Sequence, residues 1–135
     1  MTLTITDPVR HVFVYGTLRR GESNDINQLA PAPVFVGEAR INGQLYDLGK
    51  YPGVRLGDSG WVRGEVYRIT PELERRLDEI ESILPHATGE YIRQELMVQC
   101  ANASLSCLIY EIAEAQISGK PIISNGDWVN RNANE

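Results

Sequence analysis

Two short stretches carry the residue types from which this chain could build a reactive site: VFVYGTLRRG at Val12–Gly21, and LDEIES at Leu77–Ser82. In the first, an alternating apolar run stops at Tyr15-Gly16-Thr17-Leu18 and two arginines follow. A strand that turns sharply at glycine can aim successive N–H groups into one concavity, a nest for an anion. It can equally be a plain turn, the reading the local pattern favours. Arg19 and Arg20 would reinforce an anion site, but taken alone each reads as a solvated surface charge.

The second stretch offers a carboxylate. Leu73, Leu77, Ile80 and Leu84 recur at helical spacing, and at about 100° per residue Glu81 projects about 60–70° from the centre of that stripe. Glu81 therefore falls at the border of the buried face, near the negative C-terminal end of its helix. Asp78 and Glu79 fall further round, towards solvent. Partial desolvation and the dipole both disfavour the ionised form and raise the pKa. Such a group suits the task of taking and returning a proton near neutrality. A boundary glutamate that only hydrogen-bonds the next loop would have the same spacing.

Other chemistries lack their residues. G-x-G-x-x-G after a strand, the Walker A phosphate loop and G-x-S-x-G are all absent. Two histidines, His11 and His86, do not make a usual zinc site with the isolated Cys100 and Cys107. An enzyme built from this chain would work with a carboxylate acid/base and backbone donors, without a metal or covalent nucleophile. Asp47, Glu65, Glu90 and Asp127 read as structural carboxylates, and Trp128 as a packing residue.

The elements that must hold these residues are mostly strands. Val12–Tyr15 alternates as a strand, and a weak short helix is expected around Asp25–Leu29. Val34–Ile41 and Gln44–Asp47 read as two strands about an Asn42-Gly43 hairpin turn. The Gly/Pro-rich stretch 48–60 leaves a short strand around Val54, and Trp61–Ile69 is another strand. Thr70 then serves as N-cap with Pro71 in the first helical position, and Glu72 and Glu74 suit the positive end of the dipole. Pro85 limits that helix. Tyr91–Cys100 and Leu105–Ile112 form a hairpin about Ala101–Ser104. The pattern is that of an α+β domain.

At 135 residues, one domain spanning 1–135 is expected, with its core at about 11–128. A hydrophobic fraction of 42% is enough for a single core. The net charge of −5 argues against nucleic acid as the main partner. No apolar run reaches the length of a membrane span, and MTLTITDPVR lacks the pattern of a secretory signal. A cytoplasmic protein with two reduced, buried cysteines is expected. Nothing in the sequence reports an oligomeric state.

Taken in order, YGTLRRG, the hairpin ending LYDLGKYPG, the strand VRGEVYRI, LDEIES and EYIR resemble the gamma-glutamylcyclotransferase-like family. That family includes small bacterial members, gamma-glutamylamine cyclotransferases and plant avirulence-induced proteins. The resemblance covers about Val12–Ile112 and extends to SNGDW around Asn125–Trp128. It implies a small mixed β-barrel with a few packed helices, and a cavity between the YGTL loop and the glutamate of LDxxE. It further implies that the backbone of Tyr15, Gly16, Thr17 and Leu18 holds the α-carboxylate end of a γ-glutamyl group. Glu81 would be the general acid/base and Tyr91 a wall residue with a hydroxyl to offer; Arg93 matches less clearly.

The implied reaction closes the substrate's α-amine onto its γ-carbonyl and releases 5-oxoproline and an amine, with no cofactor. The expected partner is a small γ-glutamyl compound. The sequence departs from the family pattern at Ser82, where glycine is usual, and the following ILPHATGEY is longer than the usual connection. Serine adopts a positive-φ helix end less easily than glycine, which bears on the orientation of Glu81 and on the pocket near His86–Glu90. Two other readings of the same residues stay open: a module that binds or senses a small amino-acid-like ligand in that cavity without turnover, and a protein-interaction role unrelated to it.

Overall fold

The structure, a computed structural model, describes residues 9–81 and 89–131. Its elements are β1 (Arg10–Val14), β2 (Val34–Asp47), β3 (Pro52–Ile69), α1 (Pro71–Ile80), β4 (Tyr91–Cys100) and β5 (Ala103–Ile112). Single 3₁₀ turns lie at Ile26–Gln28 and Glu114–Gln116. The strands form one mixed sheet in the order β2-β3-β1-β5-β4. β1 runs antiparallel to β3 and parallel to β5.

β1 is the short strand at the centre of this sheet. Where it ends, β3 and β5 draw together and pair directly at Val54 and Glu111. The Tyr15 side chain fills the wedge: its Oη donates to Tyr110 O at 2.5 Å and accepts from Val54 N at 3.3 Å. The chain leaving β1 is thereby turned out of the sheet, which opens space at that edge for a loop.

The alternation in β1 sorts the core into two layers, as the period of two in a strand requires. Phe13 and Tyr15 join one cluster with Ile41, Val62, Val98, Ile109 and Trp128. Val12 and Val14 join the other, with Tyr67, Leu73, Leu77, Leu108 and Ile112. α1 covers this second layer. Thr70 caps it, accepting from Leu73 N at 3.1 Å, and Pro71 opens it. Leu73 and Leu77 are fully buried, each contributing about 2–3 kcal/mol of burial. Cys100 and Cys107 are buried free thiols, and Trp128 packs in the core as expected.

Two expectations are corrected. Asn42-Gly43 is not a hairpin turn: β2 runs through it as one strand, with a register shift between the two residues. The partner explains this, because Asn42 pairs with Trp61 and Gly43 with Leu56, so Gly57–Gly60 loop out of β3 instead. For the same reason the segments around Val54 and 61–69 are a single strand. The sheet is curled, bringing Cys100 Sγ within 3.7 Å of Glu38 O, but among the described residues no ladder joins β2 to β4. Among the described residues it is an open α+β sheet with one α-helix, and the expected barrel is not confirmed. No helix among the described residues is long and apolar enough to cross a membrane.

Candidate active site

The loop after β1 is built from its own backbone. Gly16 O accepts from Arg19 N at 3.0 Å, Thr17 O from Asn24 N at 2.9 Å and Leu18 O from Ile26 N at 2.9 Å. In a planar trans peptide the next residue's N–H points opposite to the carbonyl. The Thr17 and Leu18 N–H groups therefore face away from the loop's own bonds, and no acceptor among the described residues takes them. Gly16 is required by space: a Cβ there would meet Pro52 Cγ at 2.6 Å. Glycine lets the turn before β3 close directly over the loop.

Arg19 is a further correction. It is only 4% exposed, where a solvated charge was expected. Its Nε bonds Glu65 Oε2 at 3.2 Å and its terminal nitrogen bonds Asp127 Oδ1 at 2.7 Å. Glu65 also accepts from Arg20 N at 3.0 Å and from Tyr67 Oη at 2.8 Å. These carboxylates, from β3 and the C-terminal segment, are what draw the guanidinium inside, and they fix the base of the loop. Arg20 is exposed, as expected, and lies over the Phe35 ring.

Glu81 stands at the C-cap of α1, with its N–H bonded to Leu77 O at 2.9 Å. The helix sits on the sheet at a different roll from that read in the leucine stripe. Asp78 is buried and Ile80 is exposed. Asp78 Oδ1 accepts from Tyr110 Oη at 2.6 Å, and Oδ2 from Arg93 at 2.6 Å. Arg93 also bonds Glu74, which Arg10 holds from the other side. Partners on β4 and β5 thus pull Asp78 inward and tether the helix end one turn before Glu81. Leu84 and Ser82, with the rest of 82–88 and so His86, lie outside the described residues.

The six residues expected to form the site come together. Tyr15, Gly16, Thr17, Leu18, Glu81 and Tyr91 line one cavity of about 330 Å³. Burial, followed by the nearby charge of Glu90, raises the Glu81 carboxyl to about 7. The two tyrosine hydroxyls are already engaged: Tyr15 as above, and Tyr91 Oη donates to Pro52 O at 2.8 Å. Burial, with the Glu81 charge as a further cause, raises both phenols, so they stay protonated. Tyr91 is thus a wall residue whose proton is spent inside the protein.

Lys50, Tyr51, Glu90 and Tyr110 share this cavity and were not marked as site residues. Glu90 is the most consequential, since it read as structural. LYDLGKYPG and EYIR flanked these positions, yet no spacing rule connects residues 50 and 90. Glu65 and Asp127 are structural, as read, and Asp47 braces its turn by accepting from Gly49 N at 2.8 Å. Among the described residues no three His, Cys, Asp or Glu side chains gather as metal ligands.

Comparison with known proteins shows the family. Residues 12–130 match the model of the family described as gamma-glutamyl cyclotransferase, AIG2-like. The chain is 35% identical over 120 residues to the gamma-glutamylcyclotransferase family protein YtfP of Escherichia coli K12, covering 89% of this chain and 96% of that one. It is 42% identical over 72 residues to the gamma-L-glutamyl-butirosin B gamma-glutamyl cyclotransferase of Niallia circulans, covering 53% and 45% of the two chains. The crystal structure of an AIG2-like protein from Mus musculus superposes with a TM-score of 0.70 at 28% identity, over 84% of each chain. The cavity of Glu81 and the YGTL loop is therefore that of a chain belonging to the gamma-glutamylcyclotransferase, AIG2-like family.

Proposed function

We propose that the protein is a cyclotransferase that converts a γ-glutamyl amine or peptide into 5-oxoproline and the free amine. The observation that supports this reading is that Glu81, with its carboxyl raised to about 7, and Gly16, Thr17 and Leu18 line one cavity. Family membership supports the reaction class.

In this reading the Thr17 and Leu18 N–H groups receive the α-carboxylate of the γ-glutamyl group. That fixes the folded conformer in which the α-nitrogen reaches its own γ-carbonyl, so the protein supplies mainly orientation and proton management. Glu81, ionised, takes a proton from the α-ammonium. The nitrogen attacks the γ-carbonyl carbon, the amide C–N bond breaks and Glu81 returns the proton to the departing nitrogen. Both protons lost by the α-nitrogen end on the leaving amine, so the products are the lactam and an ammonium. Tyr91 and Tyr15, their phenols raised and engaged with the backbone, shape the wall.

The buried free thiols of Cys100 and Cys107 fit a reducing compartment, and we place the protein in the cytoplasm as one domain. The test is a screen for 5-oxoproline release over γ-glutamyl amines and peptides, with Glu81→Gln as control. Release by the wild type, lost in a folded Glu81→Gln protein, is the expected result. Equal behaviour of the two proteins would remove the catalytic reading, and thermal stabilisation by the same compounds without product would favour a binding module.

A further inference from the structure

Glu81 and the Gly16–Leu18 loop stand on different elements: the glutamate closes α1, and the loop leaves β1. Both are tied to a third element, β5, at a single residue. The Tyr110 carbonyl accepts from Tyr15 Oη at 2.5 Å, and Tyr15 immediately precedes Gly16. The Tyr110 side chain lies in the core layer covered by α1. Its Oη donates to Asp78 Oδ1 at 2.6 Å, one turn before Glu81. Residue 110 is thus held to the loop by its main chain and to the helix end by its side chain.

Both contacts are buried. Tyr15, Tyr110 and Asp78 are 7%, 3% and 5% exposed, so a lost partner leaves a polar group unsatisfied. Asp78 has a second donor in Arg93, which stands opposite Tyr110 in the β4–β5 register. The two donors differ in reach. The Arg93 guanidinium bonds Asp78 and Glu74, both on α1, and its side chain is 33% exposed. It holds the helix to β4 but makes no bond to the loop. Tyr110 links both sides and lines the cavity. Burial, followed by the bond to Asp78, raises its phenol, so the hydroxyl keeps its proton and spends it on Asp78.

We propose that Tyr110, acting through Asp78, is a positioning residue that sets how far Glu81 stands from the Gly16–Leu18 loop. This rests on the cyclotransferase reading. Proton transfer between Glu81 and the reacting nitrogen needs hydrogen-bond reach. A misplacement of about 1 Å can cost about a hundredfold in rate. Removing the Tyr110 hydroxyl frees the end of α1 but keeps the carbonyl of residue 110, and with it the anchor of Tyr15. The loop stays in place while Glu81 moves, so the loss falls on turnover and not on binding.

The test is steady-state kinetics per folded molecule, on the best substrate of the γ-glutamyl panel, beside a denaturant titration of each variant. Tyr110→Phe is expected to lower kcat by about 10- to 100-fold with KM within about twofold of wild type. Arg93→Met spares the Tyr110–Asp78 bond and should lose stability while keeping kcat within about threefold. Asp78→Ala should match Tyr110→Phe in kcat, and the double variant should be no slower than either, because both remove the same link. Asp78→Asn keeps an oxygen for the Tyr110 hydroxyl and should recover most of the kcat lost in Asp78→Ala. Unchanged kcat in Tyr110→Phe, kcat that merely tracks stability across the variants, or losses that multiply in the double variant overturn the positioning role alone. A raised KM at unchanged kcat does so too, since it would make the hydroxyl a binding group. If Asp78→Ala does not fold, the contrast of Tyr110→Phe with Arg93→Met decides. Absence of 5-oxoproline from the wild type across the panel overturns the role together with the cyclotransferase reading.

Discussion

Glu81 and Glu90 face the same cavity, and the charge of Glu90 is the second cause, after burial, of the Glu81 carboxyl standing near 7. Two carboxylates reach this wall from opposite ends of the segment 82–88: one closes α1 and the other precedes β4. The arrangement sets a proton carrier near neutrality.

A pH dependence follows. Glu81 must be ionised to accept a proton, so kcat/KM should rise with pH through an apparent pKa near 7 and fall about tenfold per pH unit below it. Replacing Glu90 by Gln removes one of the two causes of the raised value. The acidic limb of the profile should then move to lower pH. A limb that stays in place would separate Glu90 from Glu81 electrostatically.

The same shift acts on stability. The folded pKa of Glu81 is raised above its unfolded value, so the folded state holds the proton more tightly. That contribution is fully present below the unfolded value, in the ordinary carboxylate range, and is lost as pH rises through about 7. Glu81→Gln stays neutral and avoids the loss. At pH 8 it should be more stable than wild type by on the order of 1 kcal/mol after solvent screening of this partly buried group. The difference should vanish by pH 4. Urea denaturation at the two pH values measures it.

How far the sequence reached depended on whether a residue's fate was set nearby or across the fold. The Thr70-Pro71 helix start, the β1 alternation and the boundary position of Glu81 rest on neighbours within a turn or two, and all were legible. The roll of α1 was not: Asp78 turns inward for Tyr110 and Arg93, partners 32 and 15 residues away. Arg19 is buried by carboxylates 46 and 108 residues distant, which no local pattern exposes. Asn42-Gly43 is a strong local hairpin signal, and it lost to a partner strand that takes up the irregularity at 57–60. Glu90 was visible as a residue but not as a wall, because its place depends on Tyr51 reaching it from another turn.

Gly16→Ala tests the loop. The new methyl would stand 2.6 Å from Pro52 Cγ and 2.8 Å from Pro52 Cδ, so the loop and the turn before β3 must part. Overpacking of this kind costs about 1–3 kcal/mol. Pro52 O also takes the Tyr91 proton, and the displacement would therefore pass to the wall beside Glu81. The variant should fold with reduced stability and lose kcat/KM, mainly through a higher KM. An alanine variant with wild-type stability and KM would show that the close approach of Gly16 and Pro52 is not needed.

Arg19→Met tests what fixes that loop to the rest of the molecule. The guanidinium answers two carboxylates that are each 7% exposed, Glu65 and Asp127. Removing one partner of a buried ion pair leaves uncompensated charge and costs about 3–5 kcal/mol. Arg19→Lys offers a single ammonium, which cannot reproduce two directed contacts from a planar fork, and should fall between Met and wild type. Asp127→Asn in the Arg19→Met background removes one orphaned charge, so the double variant should recover part of the loss. Strict additivity of the two substitutions in denaturant titrations would mean that Arg19 and Asp127 do not hold each other.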